Sequence, residues 1–131
     1  NFFHFMIDLD QGPCAIKRLR GCGCGNEYVA VTPEGDVYPC HQFVGMEDWK
    51  MGSVQDLSVD FQKKDYFAKT NVYTKEACKT CWAKFYCSGG CNANSLQYAG
   101  DVRKSHKISC ELEKKRLECA IMIKAAMADE D

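Results

Sequence analysis

The apolar positions of this chain change their period along its length, and the change predicts the elements. Tyr28-Val29-Ala30-Val31-Thr32 and Val37-Tyr38-Pro39-Cys40 are β-branched and aromatic runs on either side of Pro33-Glu34-Gly35-Asp36. Such runs about a Pro-x-Gly turn read as a hairpin. Pro33 presets φ at the first central turn position, and Gly35 tolerates positive φ. Pro39 has no backbone donor, so the second strand should be an edge or should end there. Residues 55–69 carry the spacing of a short amphipathic helix, with Leu57, Phe61 and Phe67 among polar neighbours. A further helix is expected from near Cys91 through Asn94 and Leu96 to a stop at Gly100. From Ile108 to Met127 the pattern is helical again, with Leu112, Cys119, Ile123 and Met127 near one face and Glu and Lys opposite. Between these lie an irregular, glycine-rich, basic loop at 11–25, a cysteine-dense knuckle at 76–91 and a charged loop at 101–107.

The apolar start, Asn1-Phe2-Phe3-His4-Phe5-Met6-Ile7, is too short for a membrane helix, which needs about 20 residues, and lacks the features of a signal peptide. Residues 1–13 read as a strand or linker entering from something upstream, so the chain is expected to be an excised fragment. Residues 129–131 read as a frayed tail. At 131 residues and 46% hydrophobic content, one domain with one modest core is expected. A net charge of −1 gives no sign of a nucleic-acid or anionic-membrane partner.

Ten cysteines change this picture: Cys14, Cys22, Cys24, Cys40, Cys78, Cys81, Cys87, Cys91, Cys110 and Cys119. A disulfide scaffold in an oxidising compartment competes with metal ligation in a reducing one, and tight C-x-x-C spacing favours metal. The expected fold is a small, metal-stabilised α+β domain with an N-terminal hairpin, a cysteine knuckle and two or three helices, one of them long and C-terminal. The leading motif is Cys78-x2-Cys81-x5-Cys87-x3-Cys91, followed by Cys110. A zinc or single-iron site would need three of these thiolates and either Cys91 or Cys110. That reading leaves Cys14, Cys22, Cys24 and Cys40 short of a partner set. Two-cluster ferredoxins offer a better template, because the cysteine that ends a tight run ligates the other cluster. On that template Cys78, Cys81, Cys87 and Cys110 hold one cluster, and Cys91 crosses to a second with Cys40 and the group Cys14, Cys22 and Cys24.

The full spacing, Cys22-x12-Gly35-x4-Cys40, then Cys78-x2-Cys81-x5-Cys87-x3-Cys91, then Cys110, resembles the seven-cysteine pattern of the SPASM domain. That domain extends many radical S-adenosylmethionine enzymes that modify peptides. Residues 21–28, Gly-Cys-Gly-Cys-Gly-Asn-Glu-Tyr, and 31–43, Val-Thr-Pro-Glu-Gly-Asp-Val-Tyr-Pro-Cys-His-Gln-Phe, also resemble the thioether-forming maturases of "six cysteines in forty-five residues" (SCIFF) peptides. The resemblance implies two 4Fe–4S clusters in residues 14–128. Cys78, Cys81, Cys87 and Cys110 match the ligands of the distal cluster, and Cys22, Cys40 and Cys91 match three ligands of the proximal one. Its fourth place falls to Cys14, to Cys24 or to a substrate thiol, with Cys14 preferred to Cys24. It further implies an upstream radical domain of the same polypeptide carrying S-adenosylmethionine and a third cluster, a cysteine-rich precursor peptide as substrate, and a cytoplasmic setting. The chain has no C-x3-C-x2-C motif, so alone it should not generate radicals.

Other residues read more plainly. Cys119 reads as a small core residue of the last helix. His41 reads as a surface or hydrogen-bonding neighbour of Cys40, and Tyr28 and Tyr38 as hairpin packing. Lys17, Arg18 and Arg20 read as a solvated basic face, as compensation for cluster charge or as a contact with the upstream catalytic domain. Trp82, Phe85 and Tyr86 are placed to shield the knuckle from water, and Gly89-Gly90 to let backbone approach a cluster.

Overall fold

The computed structural model describes residues 3–10 and 19–128. The expectations for Cys14, Lys17, Arg18, most of the glycine-rich loop and the tail at 129–131 lie outside the described residues. What is described is a small antiparallel sheet beside a set of short helices and one long C-terminal helix.

The expected hairpin forms. Strand β1 (Ala30–Val31) pairs with β2 (Asp36–Tyr38) in the register Ala30↔Tyr38 and Val31↔Val37. Gly35 takes φ +91° in the turn, and its N–H donates to the Thr32 carbonyl at 2.9 Å. β2 ends immediately before Pro39, as the missing donor requires. It is not an edge strand, because β3 (Gly52–Ser53) pairs on its other side and β4 (Ser58–Val59) follows.

That second hairpin corrects the expected helix at 55–69. Leu57 sits in the turn with φ +55° and is 87% exposed, so its apolar side chain belongs to no helical face. Helix α1 begins later, at Phe61–Ala68, where the Asp60 carboxylate accepts from the N–H groups of Gln62 and Lys63. This is an N-cap, which satisfies donors that the first turn leaves unpaired.

Two four-residue helices, α2 (Glu76–Lys79) and α3 (Lys84–Cys87), shape the knuckle. Cys91 then caps α4 (Asn92–Ala99), which ends on Gly100 at φ +74° as expected. Helix α5 runs over Lys107–Ala128. Its predicted apolar face is not the one that packs: Leu117 and Ala120 are buried, Cys119 is half-buried, and Leu112, Ile123 and Met127 face outward. The start of the chain forms a 3-10 turn at Phe3–Phe5 rather than a strand, and it contacts α5.

The core joins Tyr38, Phe43, Phe67, Ala93 and Val102 to Cys24 and Cys40. Phe43 and Phe67 meet edge to face at 5.8 Å, and Trp49 and Tyr66 close the ring cluster. Aromatic pairs in this geometry add about 0.5–1.5 kcal/mol beyond their burial. The apolar core therefore ends on cysteine sulfur, which fixes where any thiol-bound group must sit.

Candidate metal centre

Two sets of thiols are brought together. The first gathers Cys22 and Cys24 from the Gly-Cys-Gly-Cys-Gly turn, Cys40 from the end of β2 and Cys91 from the cap of α4. Positive φ at Gly21, Gly23 and Gly25 lets the chain fold back on itself here. Cys24 is 3% exposed, whereas Cys22 faces solvent. The Cys24 thiol hydrogen-bonds Cys22 and, with the Tyr28 hydroxyl donating at 3.6 Å, holds the Cys22 pKa down at about 5. That donation, with burial, pushes Cys24 up instead. Burial also raises Cys40, and the negative charges of Cys91 and Cys22 add to the effect. The Gln42 amide donates to Cys91 Sγ at 3.7 Å, and the Asn92 amide donates to Cys24 Sγ at 3.6 Å.

The second set gathers Cys78 from α2, Cys81 from the following turn, Cys87 from the end of α3 and Cys110 from the first turns of α5. All four line a cavity of about 520 Å³ that Cys91 also reaches. Burial raises Cys87, aided by the carboxylate of Glu113 and the charges of Cys110 and Cys78. Cys110 is raised by burial and by Cys78, against a hydrogen bond from Ser105. Ser105 Oγ also lies 3.6 Å from Cys78 Sγ. Arg116 lines the same cavity with its Nε–H buried and without a partner among the described residues.

Buried thiols resist ionisation until a cation compensates them, and a bound metal deprotonates them outright. Among the described residues, no three His, Cys, Asp or Glu side chains converge on a point as one metal ion requires. The second set instead borders a cavity, and four thiols around a space fit a polynuclear group; four tetrahedral thiolates about one zinc would lie within about 4 Å of one another.

Cys24 stands among Cys22, Cys40 and the core, and Cys14, preferred to it on the resemblance, lies outside the described residues. Other expected details differ. Trp82 is 53% exposed and shields little, whereas Tyr86 lines the cavity. Tyr38 is packed, but Tyr28 is exposed and bonds a thiol. Arg20 pairs with Glu27 at 3.5 Å and donates to the Ala68 carbonyl, so it braces the turn that carries Cys22 and Cys24. His41 is exposed, as expected. Gly89 lines the cavity, and its carbonyl accepts from Lys75, a residue that the sequence did not single out.

Comparison with known proteins bears on what these thiols hold. Residues 22–82 match the SPASM family model, described as an iron–sulfur cluster-binding domain. A PqqA peptide cyclase of Methylorubrum extorquens is 31% identical over 104 residues, covering 74% of this chain and 27% of that protein. One from Methylobacterium nodulans is 29% identical over 107 residues, again 74% of this chain and 27% of the relative. One from Xanthomonas axonopodis pv. citri is 24% identical over 102 residues, 73% and 27% respectively. The chain thus spans about a quarter of the length of the curated relatives it matches. No helix among the described residues is long and apolar enough to cross a membrane.

Proposed function

The chain carries a SPASM iron–sulfur cluster-binding domain, and from that premise we propose that it is the auxiliary-cluster part of a radical S-adenosylmethionine peptide maturase. Residues 14–128 form the cluster domain, and residues 1–13 connect it to an upstream domain that generates the radical. The observation that carries this reading is the partition of eight cysteines into two sets of four, with Cys91 standing between them.

Cys78, Cys81, Cys87 and Cys110 hold one 4Fe–4S cluster, and Cys22, Cys40 and Cys91 supply three ligands to the other. Burial beside Cys22 and Cys40 supports Cys24 for the fourth place, which Cys14 or a substrate thiol would otherwise take. When bound, such clusters supply one-electron transfer and, at an open iron, activation of a thiol as thiolate. The rest is the work of this chain. Tyr28, Gln42 and Asn92 aim donors at thiol sulfurs, and hydrogen bonds to sulfur are one of the controls on cluster potential. Tyr86 and the α5 side chains wall the second cavity.

The peptide cyclases among the relatives support a precursor peptide as substrate, and the resemblance of residues 21–43 to thioether-forming maturases supports a cysteine-rich one joined from sulfur to carbon. Reduced thiols in C-x-x-C spacing suit the cytoplasm. Anaerobic reconstitution followed by iron and sulfide analysis tests the proposal. It predicts about eight irons and about eight sulfides per chain, the content of two 4Fe–4S clusters; a single metal without sulfide would overturn it.

A further inference from the structure

Among the described residues, Lys75 is the only charged side chain that is buried, at 2% exposed. Lysine is almost never so enclosed unless it is paired. Its partners here are neutral: Nζ donates to the Gly89 carbonyl at 2.9 Å and to Asn92 Oδ1 at 2.8 Å. Both acceptors belong to the segment that joins the two cysteine sets, since Gly89 lies between Cys87 and Cys91 and Asn92 follows Cys91. Lys75 itself caps α2, which carries Cys78. The other end of the Asn92 amide donates to Cys24 Sγ at 3.6 Å, so a hydrogen-bonded path runs from Lys75 into the first set. Burial lowers the Lys75 pKa, and the opposing pull comes from Cys78 and Cys87 of one set and Cys24 and Cys91 of the other.

Resting on the two-cluster reading, we propose that Lys75 is a positioning residue shared by both sites, a buried ammonium that raises the reduction potential of the two clusters together. Enclosing a cation between neutral acceptors is unfavourable unless negative charge lies near on several sides. Two loaded thiolate sets provide that charge. Reduction of either site takes one electron from a chemical reductant such as dithionite, makes or breaks no bond, and adds one negative charge. In an interior of low dielectric constant, a nearby ammonium favours the form with that added charge. One cation between two sites acts on both, which distinguishes it from the donors at single sulfurs.

The test is an anaerobic redox titration, followed by electron paramagnetic resonance, of the reconstituted chain and its Lys75→Met and Lys75→Arg variants, each first assayed for iron and sulfide. Lys75→Met should lower both midpoint potentials by at least the equivalent of tenfold in the redox equilibrium, 59 mV for one electron. Lys75→Arg, which keeps the charge, should restore them. Unchanged potentials in a fully loaded Lys75→Met chain, or a shift at one site alone, would overturn the inference. Should Lys75→Met take up no iron, Lys75→Gln, which keeps a polar side chain without the charge, must lower both potentials; a loaded Lys75→Gln chain with native potentials overturns the inference equally. A wild-type chain holding fewer than two clusters overturns the two-cluster reading and this inference with it, and the iron content alone identifies that case.

Discussion

Cys22 and Cys24 are separated by one residue, yet they differ in the proton they hold. In the metal-free chain the buried Cys24 thiol donates to Cys22, so the solvent-facing sulfur is the thiolate. Its pKa is lowered from 9.0 to about 5, so the thiolate persists as pH falls and takes up its proton only near the lower value. The iodoacetamide alkylation rate of Cys22, followed by mass spectrometry, should therefore decline only as pH falls toward 5. Cys24→Ala removes the principal donor and should move that decline up toward 9.0; an unchanged profile would contradict the pairing. Gly25, next in the chain, has φ +75°, and a Cβ there would stand 2.5 Å from the Phe67 ring. Gly25→Ala should cost more than about 1 kcal/mol in chemical denaturation, through strain and clash together. Identity at this scale was readable where chemistry is tied to residue type, as with the cysteines and Gly35. It was not readable for Lys75, because a lysine defaults to solvent and only the folded path from α2 to α4 encloses it.

Among the elements, α1 and the turns at Glu47–Trp49 and His41–Phe43 carry the ring cluster that backs the first set of thiols. Phe43 is fully buried against Trp49 and Phe67, and Phe43→Ala should destabilise the chain by about 3–5 kcal/mol, measured by urea unfolding. The start of α1 depends on Asp60, whose carboxylate is held below its usual pKa by the backbone N–H of Lys63. A lowered carboxylate pKa stabilises the fold above its unfolded value, and the contribution fades as pH falls through the folded one. Asp60→Ala should thus lower the melting temperature at neutral pH and lose that effect in acid, while Asp60→Ser should recover most of it. The hairpin, α4 and the long helix were legible because each has a bounded periodic run and a boundary signal: Pro39 ends the hairpin, Gly100 ends α4, and the charged loop precedes the long helix. The second hairpin was not, since Gly52–Ser53 and Ser58–Val59 are too short to show a period of two. Leu57 then supplied a false helical position, which Asp60 as a cap argues against. The face of α5 misled for another reason: an amphipathic count assumes that the most apolar stripe packs, and Leu117 with the small Ala120 packs instead.

At the scale of the molecule, the two sets are interleaved in the chain, and Cys91 ties them, lining the second cavity while facing Cys40 and Gln42 of the first. Loading both sites would pin β2, the knuckle and α5 to one another, so metal binding and folding are coupled. The partition was expected from the two-cluster ferredoxin template, in which the cysteine that ends a tight run ligates the other cluster, and from the resemblance that matched Cys110 to the set of Cys78, Cys81 and Cys87. The burial of Cys24 was not legible, since Phe67 and Asn92, which share its surroundings, are remote in sequence. Two separable sites would each load without the other, and iron and sulfide content tests this directly in two double variants. Cys81→Ala with Cys110→Ala should retain about four irons and about four sulfides, and Cys22→Ala with Cys40→Ala should retain the same amounts at the other site. Full iron content in either variant, or the loss of all iron from both in chains that remain folded, would contradict it.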